Sequence, residues 1–549
     1  MKKILKNRLA LNILVTVFLI IAYIFNPSVL NPMYAEGAFN VLFILTIFVV
    51  INSLPALSAF KPNVDTNGAF KVDFQPKTKG FKRLVIILVS LWAIYVIANI
   101  ISAPLFNSNA YRDQLGTLQT TEFSEDVQLL DLDQVPIVDQ SLAKVLADKK
   151  LGENSGMGSQ VYVGEPVIQQ INGELVWAVP LLHSGFFKWF DNMDGSAGYI
   201  TVSATNLQDI EFVEAKIKYQ PDSFFFDDIT RYLRVSNGMV FEGITDYSFE
   251  IDDDGNPYWI ITTYSNEWLF DLPEATGVIT LNATTGEVNK YSIDEVPEWV
   301  DRVQPEDFII NQIDNQGEYV HGVFNFSNQD KFMSSSQTAI IYNEGNCYLF
   351  TGLTSVGSDE SAIGFMMIDM VTKEPKIYNI SGATESAAMQ SAEGTFQQYG
   401  YYATSPIIIN HNGVPTFFIT LKDNSGIIKQ YAFVSVTDIT SVGKGENITA
   451  ALKDYDSVLG SSNSFVTETG EEVELKGEVT RIAGESNGTE IEYKIIIDTM
   501  EYKIFLASSE LSEELALTEV GDNVELTYYE TDAGVITVTS FDNKEFTQK

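Results

Sequence analysis

Few residues of this chain are of a type and spacing that could do chemistry. The three histidines, His183, His321 and His411, are far apart, and none belongs to an HExxH run or a Cys/His cluster. Ordinary histidines at turns are therefore expected rather than metal ligands. Ser141-Leu142-Ala143-Lys144 sets a serine and a lysine one helical turn apart, the spacing of penicillin-recognising enzymes. It lacks the companion Lys-Thr-Gly run outside the apolar N-terminus, and a pattern with two fixed positions arises readily by chance. Asp252-Asp253-Asp254-Gly255 has the look of a calcium loop, but with Gly255 in the sixth place Ile261 falls where a bidentate glutamate belongs. A solvated hairpin turn is the plainer expectation. Cys347 sits beside Tyr348 in an apolar strand and reads as a small buried residue. No nucleophile elbow, phosphate loop or dinucleotide fingerprint is present. The expectation is thus no catalytic residue, no metal and no cofactor. Two aromatic runs remain. Phe186, Phe187, Trp189 and Phe190 form one; Phe224, Phe225 and Phe226 form the other. Core packing is their default use, whereas exposure would make them a partner or membrane-surface patch. These seven are the candidate interaction site.

The elements that must carry these residues fall on two sides of a change of character near residue 106. Met1 to Leu105 holds 10 Lys+Arg against 3 Asp+Glu, and the remainder holds 24 against 70. The first part contains three apolar runs, Leu9 to Phe25, about Ala38 to Phe60, and Leu84 to Leu105. Each is expected to cross the bilayer as a helix, whose backbone groups pair internally. Lys2, Lys3, Lys6 and Arg8 precede the first run, and Lys61, Lys71, Lys77, Lys79, Lys82 and Arg83 lie between the second and third. The connection from Asn26 to Gly37 has no basic residue. Positive-inside bias then predicts a cytoplasmic N-terminus and residues 107–549 outside a plasma membrane. A cleaved signal peptide ending near Tyr34-Ala35 is the weaker alternative. No apolar interior carries an ionisable residue, which argues for an anchor against a transporter.

The outer part has one cysteine and hence no intrachain disulfide. A cysteine-poor exported region suits the surface of a Gram-positive bacterium. Its acidity excludes a nucleic-acid partner, since no basic stripe exists to meet phosphates. Four glycine-centred turns recur within it, at Asn172-Gly173, Asp254-Gly255, Glu344-Gly345 and Asn412-Gly413. Each is followed by an aromatic-rich strand and a further strand, as a tight hairpin demands. Helices are predicted before each unit, over Ser141 to Leu151, Phe225 to Val235, Glu306 to Ile313 and Glu385 to Tyr399. Irregular spacing points to divergent duplication.

That order, with Leu281-Asn282-Ala283-Thr284-Thr285-Gly286-Glu287-Val288, resembles PepSY-type modules, in which a helix packs on a small antiparallel sheet. The resemblance is sharpest in the second unit, and it implies extracytoplasmic binding modules, some linked to restraint of secreted peptidases. The C-terminal block orders three strands, a helix over Ser509 to Leu515 and two strands, as in an OB-type barrel. With 6 basic and 19 acidic residues over 471–549, a protein-binding or structural barrel is expected there rather than an oligonucleotide site.

The fold class expected is therefore a membrane-anchored multidomain chain, with three N-terminal transmembrane helices, α+β repeats and an OB-like β-barrel. Its parts would be a three-helix anchor (1–106), a linker (107–138), PepSY-like modules (139–220 and 221–304), α+β modules (305–381 and 382–440), a linker (441–470) and the barrel (471–549). The function expected is that of a non-enzymatic binding or scaffold protein, restraining or presenting another envelope protein. An accessory subunit of an export, conjugation or envelope-assembly complex is the alternative. The partners expected are the lipid bilayer, through the three spans, and an envelope or membrane protein.

Overall fold

A computed structural model describes residues 2–57, 62–64, 70–72, 79–128, 135–153, 156–357, 361–461, 472–486, 491–500, 503–509, 511–529 and 535–546. It corrects the expected fold class. Helices α1 (Lys2–Phe25), α2 (Ala35–Leu57) and α3 (Lys79–Ser102) do form at the N-terminus. Among the described residues, however, two stretches are long and apolar enough to cross a membrane, Ala35–Asn52 and Arg83–Ser102. Leu9–Phe25, the apolar part of α1, counts as a shorter apolar helix. The rest is not a row of α+β repeats but a mixed, sheet-rich fold of several antiparallel sheets. The helix expected over 225–235 shows why. It breaks into a 3-10 turn, a single α turn and a π turn between Phe225 and Ser236, too short to cover a sheet face. Most of the basic stretch between α2 and α3, including Lys61 and Lys77, lies outside the described residues, as does 462–470 of the second expected linker.

The chain divides into two compact units, one of residues 1–429 and 435–439, the other of 430–434 and 440–549. In the first unit, Glu174–His183 pairs with both Val161–Val163 and Val167–Ile171 on one side, then with Ser196–Ser203, which pairs with Ile210–Ile217. A second sheet runs Gly243–Ile251, Pro257–Trp268, Asp271–Asn282 and Val288–Ser292. A third runs Phe332–Asn343, Asn346–Ser355, Ser361–Asp369 and Pro375–Tyr378. Tyr402–Ala403 and Ile407–His411 both pair with Val414–Lys422. Positive φ at Gly173, Gly255, Gly345 and Gly413 closes the four predicted turns.

One backbone device recurs four times in the first unit, once for each predicted turn. Ile137 and Val138 donate to Ala204 O, Lys218 and Tyr219 to Ala283 O, Val303 and Gln304 to Met370 O, and Ala383 to Val436 O. The segment entering each unit is thus latched to the end of that unit's third strand. Alternating apolar residues then fill the space between sheets, with Ile200, Ile261, Ile279 and Leu281 fully buried. Part of the stretch 107–138, expected as a linker, carries regular structure among the described residues. It supplies helix α4 (Pro104–Asp113) and Gln119–Thr120, which extends the third sheet in parallel beside Pro375–Tyr378.

In the second unit, Tyr431 to Val434 pair with Val442–Gly445, and helix Ile448–Ser461 lies against that strand. The helix comes so close that a Cβ on Gly443 would stand 2.2 Å from the Tyr455 Cβ. Strands Glu472–Ser486, Ile491–Ile497, Ile504–Ser508, Asn523–Tyr529 and Val535–Asn543 close into a barrel. Its core is Val479, Ile495, Phe505 and Leu526. A 3-10 turn, Glu513–Leu517, replaces the helix expected between its third and fourth strands.

Candidate functional site

Three first strands, Val167–Ile171, Phe332–Asn343 and Ile407–His411, are each an outer strand of a sheet, paired on one side only among the described residues. They converge on a groove of about 490 Å³ that none of the sheets could form alone. Ile168, Ile340, Ile407, Trp177 and Phe418 give it apolar walls, while Asp139, Glu165, Arg302 and Glu306 set charges along it. The same three strands line a second hollow that continues past Gln170 and Tyr342. Convergence of strand edges from different sheets protects them from free solvent while leaving main-chain groups near a cleft.

A buried polar node holds the strands at this spacing. The Asp301 carboxylate accepts the Gln170 amide at 2.7 Å and the Tyr342 hydroxyl at 2.9 Å. The Asp301 amide donates to Glu250 Oε2 at 3.2 Å, and Ser248 Oγ donates to Glu250 Oε1 at 3.0 Å. Burial pushes the Asp301 carboxyl up to about 6 and the Glu250 carboxyl, with Asp301 adding to the rise, up to about 8. Gln169, fully buried, exchanges two hydrogen bonds with the Ile251 backbone, donating to its carbonyl and accepting from its amide at 2.8 and 2.9 Å. One amide side chain thereby joins the first sheet to the second as a strand would. Arg302 reaches Glu306 at 3.4 Å, and its buried Nε has no hydrogen-bond partner among the described residues.

The Ser-Lys spacing does not come together as a dyad. Lys144 is engaged by Glu165, while Ser141 Oγ lies 2.9 Å from Asp139 Oδ1 and 3.1 Å from the ammonium of Lys422. Lys422 is fully buried and ion-paired to both oxygens of Asp139, at 2.5 and 2.6 Å. That carboxylate also caps its own helix through the Leu142 amide. An amine held this way joins two distant segments. Sequence spacing could not find the pair, since 283 positions separate its members.

The other sequence candidates fall in separate places. Asp252 closes its own turn, accepting from the Asp254 and Asn256 amides, and among the described residues no three His, Cys, Asp or Glu side chains gather as metal ligands. Cys347 is buried and its thiol is pushed up to about 12, by burial first. His183 is buried, with its pKa lowered by desolvation; His321 pairs with Asp330 at 2.8 Å; His411 lies on an outer strand.

The two aromatic runs, in contrast, meet. Gly185, at φ 91°, starts the short helix Phe186–Asp191, and Phe186 stands against Phe224 at 5.2 Å between ring centroids. Trp189 is the pinned centre, 5.6 Å from both Phe224 and Phe225 and donating to Asp227 Oδ2 at 2.8 Å. Around it Phe186, Phe187, Phe190, Phe225 and Phe226 stay exposed, Phe187 by 76%. Phe225 is held at φ 50°, a strained conformation for a bulky residue, with Arg231 bonded to its carbonyl. The signal in the sequence was the density of Phe and Trp; what it lacked was the turn that brings 186 to 224.

No protein-family model matches the chain, and no curated protein matches it. Among solved structures, a mutant of B. megaterium levansucrase is similar at 10% identity over 77% of this chain and 96% of that one, with a TM-score of 0.19. A mutant of Synechocystis apocarotenoid oxygenase is similar at 10% identity and a TM-score of 0.13. In that match, 51% of this chain is covered and the chain spans about half, 49%, of the other's length. At these scores the likenesses carry no argument about fold or activity.

Proposed function

We propose that this chain is a non-enzymatic binding or scaffold protein that grips an extended segment of another envelope protein in the groove between its strand edges. The observation that carries the reading is the convergence of Val167–Ile171, Phe332–Asn343 and Ile407–His411 on one apolar-walled cleft. An extended peptide laid beside an outer strand gains main-chain hydrogen bonds, and pockets select alternate side chains. Arg302, which lines the groove beside Glu306, sets a positive charge against a carbonyl or carboxylate of that peptide.

The reading includes a bilayer, entered through α2 and α3. Phe39, Phe43, Leu45, Ile86, Ile94 and Ile97 of these helices face outward, a surface that water does not favour. The body lies on the side of the connection between α1 and α2, where Leu30 donates to Val240 O at 2.9 Å and Tyr34 to Tyr264 O at 2.6 Å. That connection has no Lys or Arg, so charge bias supports an extracytoplasmic body on a plasma membrane.

Copurification of the full-length protein from native membranes in mild detergent tests the function. A stoichiometric protein partner should come with the native chain and be lost with Ala339→Asp or Ile407→Arg, which charge the groove. A partner that both variants retain, and that helices 1–106 alone still bring down, would replace this reading with the accessory-subunit one.

A further inference from the structure

The body exposes aromatic residues in several segments. Several of them are tied to the body-side ends of the N-terminal helices. Arg231 holds the Phe225 carbonyl with one guanidinium nitrogen, while the other lies 3.4 Å from the carbonyl of Phe25, the last residue of α1. Asn31, in the connection to α2, donates to the Phe241 carbonyl at 3.1 Å. Trp268 donates to Ile101 O near the end of α3, and Tyr95 of α3 packs on Phe270 at 5.6 Å. Tyr319 packs on Tyr111 of α4 at 5.9 Å, and a Cβ on Gly322 would stand 3.7 Å from Ser108 Oγ, which seats the loop carrying Phe324 and Phe326 beside the exit of α3. Phe241, Phe324 and Phe326 are 62%, 72% and 85% exposed.

We infer that Phe187, Phe225, Phe226, Phe241, Phe324 and Phe326 form a lipid-contacting footprint that seats the body on the outer leaflet around its own helices. The inference rests on the proposed placement of those helices in the bilayer. Two observations favour lipid over a protein partner. The six side chains come from four segments separated in sequence, and the stretches carrying Phe225, Phe241 and Phe324 each meet a residue at or just beyond an end of the N-terminal helices. They are also aromatic groups of the kind enriched at a membrane-water interface. The body is strongly acidic, so anionic headgroups repel it and attraction must come from the rings. Binding is therefore insensitive to salt and does not need anionic lipid. Fixing the body this way sets the height and angle at which the groove is offered.

The test uses the full-length protein in phosphatidylcholine vesicles, labelled with an environment-sensitive fluorophore at Phe187→Cys, Phe326→Cys, Ile97→Cys or Asp254→Cys. The native Cys347 is buried and leaves little background. Ile97 reports the anchor, and Asp254 lies at the opposite end of strand Pro257–Trp268 from the helix contacts. The expected result is a blue shift and roughly twofold quenching by shallow spin-labelled lipid at 187 and 326, quenching also at 97 and none at 254. Quenching at 97 with none at 187 or 326 overturns the footprint while leaving the anchor. A blue shift at 187 and 326 without lipid quenching assigns the patch to a protein and also overturns it. No quenching at 97 overturns the anchor, and the footprint with it.

Discussion

The Tyr342 hydroxyl stands 2.9 Å from the Asp301 carboxylate. Through that contact the third sheet is tied to the segment that latches onto its own third strand. The same carboxylate takes the Gln170 amide of the first sheet, so one buried group fixes the width of the groove. Tyr342→Phe leaves a buried carboxylate oxygen short of a donor and should cost about 1–3 kcal/mol. Thermal unfolding of the full-length protein in mild detergent should show the loss in the transition of the first unit.

Acid should stabilise this node. Burial lifts Glu250 to about 8 and Asp301 to about 6, whereas in the unfolded chain they ionise near about 4.3 and 3.9. Between those values the folded state holds protons that the unfolded state has released. Their contribution is thus complete below about pH 4 and is lost as pH rises through 6 for Asp301 and 8 for Glu250. The part due to Glu250 is roughly 3–5 kcal/mol. Tm should fall between pH 5 and 8.5, and Glu250→Gln should flatten that slope. An unchanged slope in Glu250→Gln would show that the carboxyl does not titrate there.

The Asp139–Lys422 pair should behave as a structural ion pair. Asp139→Asn strands a buried ammonium and should cost about 3–5 kcal/mol, while Asp139→Leu with Lys422→Met should recover most of it. A serine-reactive phosphonate should not label Ser141, because no base activates it. Stoichiometric labelling lost in Ser141→Ala would instead make this corner catalytic.

Hairpins were readable from local sequence, and the groove was not. Asn172-Gly173 and Asn412-Gly413 take the positive φ that their residue types favour, and Thr384 caps the helix that follows it, whereas the helix expected to start at Ser141 is capped instead by Asp139. The two aromatic runs announced an apolar cluster by composition alone. The groove depends on Ile168, Ile340 and Ile407 meeting across hundreds of residues, and no local pattern encodes such a meeting. The N-terminal helices misled for a related reason. Hydropathy marks apolar length, and Leu9–Phe25 falls short of the length its neighbours reach. The repeats misled because four turns fix four hairpins without stating whether helices or other sheets cover them.

The groove's exposure to a partner can be varied from the other side. Arg302→Lys keeps a positive charge but removes the planar fork, and should weaken partner capture about 10-fold. Equal capture by the two forms would remove Arg302 from the binding account.

Site-specific photocrosslinking in native membranes addresses the central claim most directly. A photoreactive residue in place of Thr338, in the groove, is compared with one in place of Asp254, at a hairpin tip remote from it. The account predicts one discrete crosslinked protein from position 338, none from 254, and its loss when Ile407→Arg is added. A ladder common to both positions, or no adduct at 338 while a partner still copurifies, would contradict it.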